Sequence, residues 1–197
     1  HILKLAENAD IPIVNGLTEF NHPCQIMADI LTILEHRENL DELKITYVGD
    51  GNNIVHSWLA LAMRIPFHFT IACPESFQPD LDMIKIAQDE GISTIEVLHD
   101  PFKAVVDADV IYTDVWASMG QKEEAEERRQ KFAGFQINDE LMAATGKSTY
   151  FMHCLPAERG IEVTDSVCDS KNSIIFAEAE NRMYAQNAIM AKLMQKR

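Results

Sequence analysis

An open α/β fold, a doubly wound parallel sheet flanked by helices, is the architecture this chain predicts. Two observations carry it. Short apolar, β-rich runs alternate with amphipathic runs of helical period between residues 44 and 195, the pattern of strands joined by helical crossovers. The strand runs are also apolar on both faces, as strands covered by helices on two sides must be. The crossovers should then be right-handed.

Each element has a local reason. Residues 2–14 read as the end of a helix plus one short strand, with no partner sheet nearby in sequence. A helix over 23–36 opens on Pro23, whose missing N–H costs nothing in a first turn. A strand over 44–48 runs into Gly49-Asp50-Gly51 and a helix over 53–63. A strand over 67–72 precedes a helix over 80–90, with Asp80 at its start and Gly91 as the residue that closes it. After a strand over 94–98, Asp100-Pro101 is an N-cap followed by a first-turn proline for a helix over 101–106. A strand over 110–113 leads to a helix over 121–132. There the acids (Glu123, Glu124, Glu126, Glu127) precede the bases (Arg128, Arg129, Lys131), an order that suits the helix dipole. A helix over 139–143, strands over 149–155 and 173–176, and a helix over 181–195 complete the order. The last helix is apolar on more than one side (Met183, Tyr184, Ala188, Ile189, Leu193, Met194) and wants cover on more than one face. With the unpartnered first segment, it predicts a neighbouring domain that these residues do not include.

Composition narrows the function. Of 197 residues, 47% are hydrophobic and 24% charged, ordinary for a globular protein. The formal charge of −14, from 17 basic and 31 acidic residues, argues against nucleic acid or an anionic membrane as partner. No apolar run approaches the roughly 20 residues that span a bilayer. The four cysteines (Cys24, Cys73, Cys154, Cys168) form no C-x-x-C pair and no zinc spacing, so a soluble protein of a reducing compartment with no metal is expected. The chain opens on His1 without a leader or transit stretch, and its compartment is not readable from it.

Four constellations bear chemistry. Val48-Gly49-Asp50-Gly51-Asn52-Asn53 follows a strand and precedes a helix, where backbone amides and the helix N-terminus favour an anionic group. It lacks the G-x-G-x-x-G spacing of a dinucleotide site, which excludes a nucleotide-dependent oxidoreductase. A plain tight turn is the competing reading. The paired asparagines favour a ligand, because an amide both donates to a carboxylate and accepts from an ammonium. Asp114-Val115-Trp116-Ala117-Ser118-Met119-Gly120 puts a carboxylate at a strand end and a closable loop after it; Asp114 as a simple cap is the alternative. Phe151-Met152-His153-Cys154-Leu155-Pro156 delivers an imidazole and a thiol to the carboxyl end of a strand, where α/β proteins bind ligands. Simple packing competes there, and Cys154 is a nucleophile only if its pKa is lowered. Asn21-His22-Pro23-Cys24-Gln25 sets an imidazole and an amide at a helix start, either as caps or to hold a planar group. Arg182 is placed by the predicted helix start where a cation opposes the dipole, which suggests binding of an anion or carbonyl oxygen.

Together these motifs resemble the carbamoyltransferases; the segment Asp114–Gly120 points to the ornithine type, its Ser118-Met119-Gly120 element sets the chain apart from putrescine-type enzymes, and the chain as a whole is most similar in wording to the plant or algal plastid type. The resemblance runs in order through residues 21–35, 47–58, 112–121, 150–160 and 177–190. It implies transfer of the carbamoyl group of carbamoyl phosphate to the δ-amine of L-ornithine, giving citrulline and phosphate, with no cofactor. His22, Gln25, Cys154, Leu155 and Arg182 would hold the carbamoyl group. Asn53, Asp114, Ser118 and Met119 would grip ornithine. Cys154, Asp114 and Arg182 would act in the chemistry. The family's Ser-x-Arg-Thr-Arg phosphate motif is absent. The resemblance therefore divides the chain into residues 1–36 (the end of a carbamoyl-phosphate-binding domain and an interdomain helix), 37–180 (an ornithine-binding α/β domain) and 181–197 (a helix packing back on the first domain). It implies a homotrimeric parent enzyme and an isolated chain that is inactive. An amino-acid-binding module without catalysis, or a transferase for another amine such as putrescine, are the alternatives.

Overall fold

In the computed structural model, residues 1–117 and 125–195 are described. The chain begins with α1 (Ile2–Glu7) and α2 (Pro23–His36), then β1 (Lys44–Val48), α3 (Asn53–Ala62) and β2 (His68–Ala72). There follow α4 (Leu81–Glu90), β3 (Thr94–Leu98), α5 (Pro101–Ala104) and β4 (Val110–Thr113). The last part holds α6 (Ala125–Lys131), α7 (Asp139–Ala143), β5 (Tyr150–His153), α8 (Asp165–Cys168) and α9 (Ile175–Met194).

The five strands form one parallel sheet in the order β3-β2-β1-β4-β5. The doubly wound α/β class is therefore correct. The strand order reverses at β1, between β2 on one side and β4 on the other. That topological switch opens a crevice at the carboxyl ends of β1 and β4, the place where such sheets bind ligands. Register sets the strand ends level, with Tyr47 beside Tyr112 and Thr113 beside His153.

Alternation along the strands divides the core between two faces. Tyr47, Tyr112 and Met152 join Trp58 and Phe69 on one face; Val48, Ile111 and Phe151 join Phe132 and Ile175 on the other. Trp58 is fully buried, with Phe67, Phe69 and Tyr112 rings 5.8, 6.1 and 6.0 Å from it. Trp58→Ala is expected to lower the unfolding free energy by about 3–5 kcal/mol, read from urea unfolding; a loss near zero would remove Trp58 from the core.

Gly51 is required by space. A Cβ there would lie 2.2 Å from the Pro79 nitrogen and 2.5 Å from the Gln78 carbonyl carbon. The turn after β1 is thus clamped under the segment that precedes α4, and the Gly51 N–H donates to the Phe77 carbonyl at 2.9 Å.

Several boundaries differ from expectation. No strand forms within residues 2–14; irregular chain follows α1. The run 173–176 is not a strand either. Ser173 makes a single parallel bridge to Phe151, and α9 begins at Ile175. A short, largely apolar Ser-Ile-Ile-Phe run carries no period that separates strand from helix. The final helix is therefore 20 residues long, and it lies against α2. The strand 149–155 stops at His153 because Leu155 turns into the left-handed region, φ 54°. The helix 101–106 ends at Ala104, and the short α8 was not foreseen. Of the predicted helix 121–132, Ala125–Lys131 is seen; residues 121–124 are outside the described part.

Candidate active site

The loops after β1, β4 and β5 meet at the switch point. Asp114, the first residue beyond β4, is the hub. Its Oδ2 accepts from Asn52 Nδ2 at 2.7 Å, and its Oδ1 accepts from the Val115 N–H at 2.8 Å and from Cys154 Sγ at 3.2 Å. A cap role alone does not account for these contacts from three loops.

Cys154 is 8% exposed. Burial pushes its thiol well above the ordinary range, and the Asp114 and Glu178 carboxylates add to the rise. It is a neutral hydrogen-bond donor at neutral pH, not a thiolate nucleophile. His153 is fully buried. Its Nε2 pairs with Glu162 Oε1 at 3.1 Å, and its Nδ1 accepts the Leu155 N–H at 2.9 Å. Both ring nitrogens are thus engaged, and the cluster Asp114, His153, Cys154 has no free imidazole for a metal. His153 instead holds Leu155 in its left-handed turn, which sets the backbone beside Cys154.

The opposite wall comes from α2 and α9. His22 is the N-cap of α2 but makes no side-chain cap bond; its N–H donates to Ser57 Oγ at 2.7 Å. Burial and the Arg182 charge lower the His22 pKa against the pull of Asp114 and of a Gly16 backbone hydrogen bond. The imidazole is neutral at pH 7 and lies within the field of both Arg182 and Asp114. Gln25 is fully buried, with Nε2 donating to Asp29 Oδ1 at 2.8 Å and Glu178 Oε1 at 3.2 Å.

Arg182 is the eighth residue of α9, not its start. The dipole argument for it fails, because the helix begins earlier than the sequence indicates. Another observation replaces it. Arg182 is half-buried and makes no ion pair or hydrogen bond among the described residues, although its charge acts on His22 and Asp29.

Asn53 opens α3, and its Nδ2 donates to the Thr18 carbonyl at 2.9 Å. The neighbour facing Asp114 is Asn52, which also caps α3 by accepting from the Ile54 N–H. The sequence flagged the asparagine pair, but the family resemblance gave a role to Asn53 and none to Asn52. Ser118 and Met119 lie outside the described residues. The start of their loop is tied down: Arg128 donates to Asp50 Oδ2 and to the Trp116 carbonyl, each at 2.7 Å.

The profile described as "Aspartate/ornithine carbamoyltransferase, Asp/Orn binding domain" matches residues 41–193, and that of the "carbamoyl-P binding domain" of the same proteins matches residues 1–35. The chain belongs to the aspartate/ornithine carbamoyltransferase family. Among its carbamoyltransferase relatives, chloroplastic ornithine carbamoyltransferase of Pisum sativum is 59% identical over 195 residues, which are 99% of this chain and 52% of the relative. That of Thermococcus kodakarensis is 53% identical over 96% of this chain and 61% of its own length. The chain thus spans about half to three-fifths of these relatives. A solved ornithine carbamoyltransferase from Pyrococcus furiosus superposes with TM-score 0.92 at 49% identity, covering 98% of this chain and 63% of that one. The anabolic enzyme of Campylobacter jejuni gives 0.91 at 34%, covering 97% and 64%. No described helix of the chain is long and apolar enough to cross a membrane.

The acids under the site carry a pH prediction. Burial lifts Asp29 from 3.8 to about 7, against hydrogen bonds from Gln25, Glu178 and Tyr112 and the charge of Arg182. A carboxyl whose folded pKa lies above its unfolded value contributes most below the unfolded value, and that contribution is lost as pH rises through the folded one. Wild-type stability should therefore fall relative to Asp29→Asn between about pH 4 and pH 7. Thermal midpoints across that range check it; a constant difference would mean that Asp29 is ionised throughout.

Proposed function

We propose that this chain carries the ornithine side, and part of the carbamoyl side, of an ornithine carbamoyltransferase of arginine biosynthesis. The observation that carries the reading is the meeting of Asp114, Asn52 and Cys154 with His22, Gln25 and Arg182, which makes no ion pair or hydrogen bond among the described residues, at the switch point of the sheet. The unprotonated δ-amine of ornithine attacks the carbamoyl carbon of carbamoyl phosphate; a C–N bond forms, the bond to the phosphate oxygen breaks, and phosphate leaves. An amine with ordinary pKa near about 10.4 must first give up a proton, and the Asp114–Cys154 pair is where that proton is managed. Arg182 and the neutral His22 meet the carbamoyl oxygen, where negative charge grows in the transition state. The Gln25 amide and the Leu155 carbonyl take the carbamoyl nitrogen. Asp114 and Asn53, with Ser118 and Met119, receive the α-amino and α-carboxylate groups of ornithine; we add Asn52, which orients Asp114. No cofactor enters the reaction.

In this reading residues 1–36 close a carbamoyl-phosphate-binding domain, residues 37–180 bind ornithine, and residues 181–197 pack back on the first domain. The parent enzyme is a homotrimer. The four buried free cysteines of this chain suit a reducing compartment, and the chloroplast assignment of the pea relative favours a plastid.

The test is citrulline formation by the full-length protein, with ornithine and putrescine offered separately beside carbamoyl phosphate. Ornithine-dependent turnover is expected. Preference for putrescine would change the acceptor, and ornithine binding without turnover would make the protein an amino-acid-binding module. The 197 residues alone are expected to form no citrulline; turnover by them would refute the division of labour between domains.

A further inference from the structure

Beneath the site lies a polar cluster that the proposed chemistry leaves unused. Asp29 on α2, Glu178 on α9 and Tyr112 on β4 are all fully buried. Glu178 Oε1 accepts from Tyr112 Oη at 3.2 Å and from Gln25 Nε2 at 3.2 Å, while its Oε2 accepts the His153 N–H at 2.9 Å. Glu178 thereby ties together α2, β4 and β5. The Asp29 and Glu178 carboxyls converge on one donor, Gln25 Nε2, at 2.8 and 3.2 Å. Such an approach requires a proton, because two adjacent buried carboxyls do not both ionise. Asp29 Oδ2 has no donor among the described residues and is the acceptor left open to a proton held by Glu178. The single remaining charge on the pair is felt by Arg182.

The acids dictate how Gln25 is turned. Its nitrogen is committed to Asp29 and Glu178, so its oxygen faces away from them. That Oε1 is buried and has no partner among the described residues. A buried acceptor is costly to leave unpaired, and an N–H on the ligand relieves the cost where a methyl group does not.

We propose that Asp29 and Glu178 share one proton and act as positioning residues, locking Gln25 with its oxygen toward the acyl donor so that the site takes a carbamoyl group and refuses its methyl isostere, acetyl. The proposal rests on the carbamoyl-transfer reading. It assigns donor selectivity to acids that touch no substrate.

Two measurements on the full-length protein test it. Infrared spectroscopy at pH 7 should show a protonated-carboxyl C=O band, shifted by deuterium and lost in both Asp29→Asn and Glu178→Gln. The ratio of kcat/KM for carbamoyl phosphate over acetyl phosphate separates positioning from plain stabilisation. Asp29→Asn keeps the hydrogen bonds, since its amide accepts from Gln25 and donates to Glu178, and should hold the ratio within about threefold. Glu178→Gln has one acceptor for groups converging from two sides, and should lower the ratio by about tenfold or more. A merely structural pair would move stability in both variants and the ratio in neither. Absence of the band in the wild type, or an unchanged ratio in Glu178→Gln, overturns the proposal. If the wild type transfers no carbamoyl group, the reading of function fails, and the infrared band alone judges the pair.

Discussion

Arg182→Ala is expected to lower kcat for citrulline formation by about 10²–10³-fold, the loss seen when one preorganised donor to a developing oxyanion is removed. The chain carries 31 acidic residues against 17 basic ones, yet this half-buried guanidinium has no acidic partner within ion-pair distance among the described residues. In the proposed reading this side chain on the middle of α9, whose charge acts on His22 and Asp29, is the one that meets the ligand. The ornithine KM should stay within about threefold, because the effect belongs to the transition state. Arg182→Lys should recover only part of the rate, since an ammonium keeps the charge but not the planar fork. Steady-state kinetics decide it: an unchanged kcat in Arg182→Ala would remove this residue from the reacting group.

Asp114→Asn has the second large expected effect. It removes a charged acceptor that gathers Asn52, the Val115 N–H and Cys154. A hydrogen bond to a charged group contributes about 1.5–3 kcal/mol, so the ornithine KM should rise by about 10–100-fold. Asn52→Ala should do less, because Asn52 orients Asp114 and leaves its charge in place. A second readout is independent of turnover. The Asp114 carboxylate is the largest contributor after burial to the raised Cys154 pKa, so alkylation of Cys154 should begin at lower pH in Asp114→Asn. Ornithine affinity that stays undiminished would contradict the assignment of Asp114 to the substrate head group.

Much of the fold was legible because its signals are local. Pro23, Asp80 and Asp100 mark helix starts through chemistry confined to one turn, and the observed elements begin within a residue of those marks. The strands β1, β3 and β4 run as the β-rich stretches do. Failures came where local signals were silent. Residues 173–176 have strand composition, but Ile174 and Ile175 are buried by tertiary packing that turns the chain into a helix. The start of α9 moved with them, and the dipole argument for Arg182 went with it, although Arg182 itself stands beside the site.

By itself the sequence determined the alternation of strands and helices, the family, and which reactive side chains stand at strand and helix ends, because each depends on neighbours a few residues apart. Tertiary structure decided which of two adjacent asparagines meets Asp114, how far the Cys154 thiol is shifted, and how Gln25 is turned. The last of these hangs on Glu178, 153 residues away in the chain. No period or spacing encodes such a pairing; it exists only once α2 and α9 close over the sheet and exclude the water that would otherwise ionise both acids.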